Sequence, residues 1–135
     1  MNILNVLGWV GVVLLGLAHG LLEDIVFVSI LVPYMPASWD LTGDLFFVFT
    51  FPLAQLMAFA VTGTIGWFLL GLKQPARLLT FWLLWTGARV TFLVFAKNPW
   101  PDILVYVLWI AFWCALYGLL ARLLAPAQGG ATTAS

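Results

Sequence analysis

Charge is what this sequence has least of. Lys73, Arg77, Arg89, Lys97 and Arg122 stand against Glu23, Asp24, Asp40, Asp44 and Asp102, so 7% of 135 residues are charged, where an ordinary soluble domain carries about 25%. With 64% apolar residues, eight Trp and eleven Phe, the water-facing surface of a soluble fold could not be covered. Lipid is the solvent this composition fits. A single cysteine, Cys114, excludes an internal disulfide and a thiolate metal site. The cations are isolated from one another, which excludes a nucleic-acid groove and a polybasic lipid patch. A single histidine and the lack of a glycine-rich phosphate loop leave no nucleophilic triad and no nucleotide cradle.

Long apolar runs are what is present. A membrane-crossing helix needs roughly 20 apolar residues at about 1.5 Å each, and four such stretches are expected near 4–33, 45–72, 77–96 and 102–124. The breaks contain Pro33 and Pro36, then Pro75, then Pro99 and Pro101, where a helix cannot simply continue. Pro101 and Asp102 suit the first turn of the last helix. Met1 to Leu22 has neither a positive n-region nor a cleavage site before a polar mature chain, and reads as a retained helix. Residues 127–135 have nothing to bury and are expected to be disordered. The fold expected is therefore an all-α integral membrane protein, one four-helix transmembrane bundle over 1–126.

Orientation follows from the cations, because Lys and Arg resist translocation. Lys73, Arg77 and Arg122 share one side of a four-span chain, and most acidic residues fall on the other. Both termini are then cytoplasmic, in a plasma or inner membrane.

Small residues mark expected helix seams: Gly8, Gly11, Gly16 and Gly20; Ala54, Ala58, Thr62 and Gly66; Ala111 with Ala115 and Cys114 with Gly118. Trp67, Trp82, Trp85, Trp109 and Trp113 lie deep in their spans, and Tyr106, Trp109, Trp113 and Tyr117 share one face of the fourth helix. Trp109, Trp113 and Tyr117 are candidate partner or lipid contacts.

Chemistry concentrates in His19, Glu23 and Asp24. Residues 19 and 23 lie one above the other on a helix, with Asp24 about 100° around. That spacing fits a divalent metal held by nitrogen and oxygen, or a proton passed between imidazole and carboxylate. The hexapeptide His19-Gly20-Leu21-Leu22-Glu23-Asp24 resembles the His-x-x-x-Glu-Asp stretch of gate-type, nucleoside-recognition membrane proteins. Ile25 stands where that pattern has threonine, and no family is assigned from six residues. Arg89 is the intramembrane cation. Unpaired, it would cost at least ~2.5–3.5 kcal/mol on insertion scales, so it is expected to pair with Glu23 or Asp24. Those four residues are the candidate ion site. Asp40 and Asp44, also four apart, are outer-face cation candidates, or Asp44 caps the second helix.

Three functional classes fit. The first is a small polytopic subunit or accessory of a larger membrane assembly. The second is an oligomeric ion- or proton-coupled transporter or channel using His19, Glu23, Asp24 and Arg89. The third is a membrane-embedded enzyme acting on a lipid or isoprenoid, although nothing in the sequence requires catalysis. No cofactor beyond a metal at His19 and Glu23 is expected, and the partners expected are membrane lipid and either further copies of the chain or a larger membrane complex.

Overall fold

The structure, a computed structural model, describes residues 2–35 and 50–125. Asp40, Asp44, the expected opening of the second span at 45–49 and the tail at 127–135 lie outside the described residues. Four helices, all long and apolar enough to cross a membrane, make up the described chain. Helix α1 (Ile3–Val26) runs on through a wide π-turn (Phe27–Leu31) and a 3-10 turn (Val32–Tyr34). Helix α2 (Phe51–Ile65) likewise ends in a π-turn (Gly66–Leu70), and α3 (Pro75–Phe95) and α4 (Trp100–Leu123) complete the bundle.

The helix ends follow local chemistry. The Asn2 side chain accepts a hydrogen bond from the Leu4 amide at 3.3 Å, capping α1. Pro75 opens α3, and Pro101 and Asp102 lie in the first turn of α4. Both helices begin two residues before the expected starts at 77 and 102, because a proline in the first turn is helical itself. Gly71, with φ at +64°, ends the second helical segment in the left-handed conformation.

Gly71 also has no room for a side chain, since a Cβ there would meet Arg77 Nη1 at 2.8 Å. Gly71→Ala is expected to cost about 1–2 kcal/mol from the left-handed backbone alone. Gly87 is the control: it lies inside α3 with nothing within 4 Å of an added Cβ, and Gly87→Ala should gain up to ~1 kcal/mol of helix propensity. Thermal unfolding in detergent should move the two variants in opposite directions.

Helix α1 packs most extensively on α3 and then on α2, while α4 closes against α3 and α2. Gly8, Gly16 and Gly20 are buried in α1, and Ala54, Ala58, Thr62 and Gly66 are all buried in α2. These small residues let the backbones approach closely, which in lipid replaces the hydrophobic drive for association. Ala54 and Ala58 meet Val26 of α1. The fourth helix departs from the expected pattern. Cys114 is buried, but Ala115 is exposed and Ala111 half-buried, both lining an open groove between α3 and α4. Close approach needs small residues on both helices, and α3 presents Leu78, Leu79 and Trp82 there. The outward faces are apolar as well, with Leu14, Phe68, Leu83, Phe112 and Leu119 all exposed.

Candidate functional site

Two helices supply the charges of the site. Successive positions 19 and 23 on α1 project toward α3 with side chains that are fully buried, and Arg89 of α3 meets them at 4% exposure. Gly20 makes this approach feasible, since a Cβ there would lie 3.3 Å from Arg89 Cδ.

The guanidinium is used on every edge. Its Nη1 and Nη2 donate to the two Asp24 carboxylate oxygens at 3.0 and 2.7 Å, a bidentate pair. Its Nε donates to Glu23 Oε2 at 3.1 Å and to the Tyr106 hydroxyl oxygen at 2.8 Å. Tyr106, reaching in from α4, donates its own proton to Glu23 Oε2. Glu23 Oε2 therefore already accepts two hydrogen bonds. The other oxygen, Oε1, faces His19 Nε2 at 3.1 Å, and neither of these two atoms has another hydrogen-bond partner.

On its far side His19 Nδ1 lies 2.9 Å from Thr62 Oγ1, whose hydroxyl donates to the Ala58 carbonyl at 3.1 Å. With that proton committed, Thr62 accepts from Nδ1–H, and Nε2 is the ring nitrogen that faces Glu23. Aromatic rings enclose the imidazole edge-on: Trp85 at 4.0 Å, Phe81 at 5.6 Å and Phe59 at 6.0 Å between centroids. Gln55, 1% exposed, stands beside the Tyr106 hydroxyl without either amide atom in hydrogen-bonding geometry. Among the described residues of the cluster Asp24 is the most open, its side chain 46% exposed.

The chemical consequence is specific. Two carboxylates share one guanidinium, so the group carries one negative charge in excess, which one further proton would neutralise. Because Oε2 is taken by donors, a proton on the Glu23 carboxyl belongs on Oε1, aimed at the lone pair of His19 Nε2. The arrangement can hold one proton and exchange it between those two atoms.

The chain matches no protein-family model, no curated protein and no solved structure. The resemblance of the 19–24 hexapeptide thus stands on its six residues alone, and the geometry is the remaining source of inference.

His19, Glu23, Asp24 and Arg89 converge as a single cluster. Among the described residues no three of His, Cys, Asp and Glu gather as metal donors; His19 and Glu23 offer two, with the Arg89 guanidinium already against the same carboxylate. Trp109, Trp113 and Tyr117 lie away from the cluster. Trp109 stacks on Trp113 at 5.7 Å, and Tyr117 donates to the Gly63 carbonyl at 2.9 Å.

Sequence reasoning did not find Tyr106, Thr62 or Gln55 as members of the site, nor Arg77 as a buried cation. Arg77, 7% exposed, donates to the Leu70 carbonyl and to Asn5 Oδ1, both at 2.5 Å, and its guanidinium carbon lies 5.5 Å from the centre of the Trp9 ring. The glycines were the available signal: Gly8 and Gly71 both make room for this guanidinium.

Proposed function

We propose that this chain is an integral membrane protein that moves protons, an oligomeric proton-coupled transporter or channel whose working group is the His19–Glu23 pair. The observation that carries the proposal is the pair of facing buried atoms, Glu23 Oε1 and His19 Nε2, 3.1 Å apart, each without another hydrogen-bond partner. An ion pair that merely fixes helix register needs Arg89 and one carboxylate. The extension inward through Glu23 to His19 and Thr62 adds buried polar groups that such a lock does not require, and intramembrane ionisable groups mark proton and ion paths. Four spans enclose too little for a complete path, which favours more than one copy.

Orientation with both termini cytoplasmic accompanies this reading. It is supported by Lys73 in the short 71–74 connection and Arg122 at the end of α4. A second reading, subunit of a larger assembly, has its own support: an apolar groove of about 450 Å³ between α2 and α4, lined by Trp113 and Tyr117 among others.

The test is proton flux in liposomes reconstituted with purified protein, read by an internal pH dye under an imposed potential. Wild type should carry protons, and His19→Ala and Glu23→Gln should each reduce flux at least about 100-fold, within the range lost with a positioned acid or base, at unchanged amounts of folded protein. Wild-type flux in Glu23→Gln would sink the proposal.

A further inference from the structure

The groove between α3 and α4 lies apart from the polar cluster. Its volume is about 420 Å³, and its walls are Leu78 on α3 and Ala111, Ala115 and Gly118 on α4, with Lys73 and Arg122 among the residues that line it. Ala111 to Arg122 is eleven residues of one helix, a rise of about 16 Å. One leaflet of a bilayer offers about 15 Å of hydrocarbon. The groove is thus an apolar trough one leaflet long, and both cations lie at the same end of it: Lys73 precedes α3 and Arg122 occupies the last turn of α4. Both are exposed, and neither pairs with a carboxylate of the described residues.

We infer that this groove is a binding site for one anionic phospholipid, its phosphate between Lys73 and Arg122 and an acyl chain lying along the small residues of α4. Charge complementarity selects the occupant. An anionic lipid matches both halves of the groove at once, its phosphate the two cations and its acyl chain the apolar trough. Basic pockets between helices on the cytoplasmic side are where such lipids are held, and the orientation proposed above would put Lys73 and Arg122 there. The small residues matter because a larger side chain would fill the trough: even a Cβ at Gly118 would come within 3.3 Å of Leu78 Cδ2.

The inference rests on the membrane-spanning reading and not on proton movement. Alkaline carbonate extraction of the same membranes separates the two failures, since release of the protein there defeats the membrane reading itself. Native mass spectrometry then tests the site, on full-length protein extracted in mild detergent and offered phosphatidylglycerol or phosphatidylcholine of identical chains. Two cations near the surface correspond to a preference of about thirtyfold for the anionic lipid. Lys73→Gln with Arg122→Gln should abolish the preference, and Ala115→Phe should reduce retention of both lipids; all three side chains are exposed, so folding is not at stake. Equal retention of the two lipids by wild type, or a preference that survives the double change, would overturn the site. So would a dimer that Ala115→Phe breaks while the monomer holds no lipid.

Discussion

Arg89→Leu is expected to destabilise the protein by about 3 kcal/mol, the low end of the ~3–5 kcal/mol for breaking a buried pair. The change strands Glu23, which is fully buried and has Arg89 as its cation. Two features hold the loss at that low end. His19 stands 3.1 Å from Glu23 Oε1 and can take up a proton beside it, and Asp24 is half open to its surroundings. The reverse change is milder. Glu23→Gln leaves Arg89 with both Asp24 oxygens and Tyr106, so its cost should stay near 1 kcal/mol, a typical net hydrogen bond. Combining Arg89→Leu with Glu23→Gln should recover at least about half of the single-variant loss, because the stranded charge is removed with its partner. Thermal unfolding in one detergent, followed by far-UV circular dichroism, measures all three. A double variant that loses the sum of the two single losses would show that the residues are not coupled.

Trp85→Ala should be the next most damaging change, at about 2–3 kcal/mol. Trp85 is fully buried and packs on His19, on Phe59 at 5.4 Å and on Phe81 at 5.8 Å between ring centres. In a water-soluble protein such a truncation costs ~3–5 kcal/mol, made of a transfer part and a cavity part. In a bilayer most of the transfer part vanishes, since lipid is as apolar as the protein interior, and lost packing contacts remain. Trp85→Phe should cost under ~1.5 kcal/mol, and Trp100→Ala, at a side chain 71% exposed, should stay within about ±0.5 kcal/mol. The same unfolding measurement ranks the three. A Trp85→Ala loss no larger than that of Trp100→Ala would mean that the aromatic enclosure of His19 is not a packed core.

The sequence made some of this legible and hid the rest for physical reasons. Helix number and breaks followed from prolines and apolar length, which act locally. Contact between Arg89 and the 23–24 carboxylates followed from cost alone, because a lone charge in an apolar span has few affordable partners. Tyr106 was a different case. It shares a stripe with Trp109, Trp113 and Tyr117 on a helix apolar all round, so periodicity could not tell which aromatic turns inward. Thr62 looked like one more small residue in a packing row, and only the position of His19 across the seam gives its hydroxyl a second role. Arg77 follows a turn, and its sequence position speaks only to orientation. Its burial depends on Asn5, 72 positions away, and no local pattern encodes that closure.

The enclosure of His19 has one further consequence. Phe59, Phe81 and Trp85 pack edge-on around the imidazole, while Asp24 is the most open of the described polar residues of the cluster. If protons move as proposed, one arriving by way of Asp24 would meet these rings beyond His19. Under the proposed proton movement, passage beyond His19 would need the rings of Phe59, Phe81 and Trp85 to part, which involves α2 as well as α3.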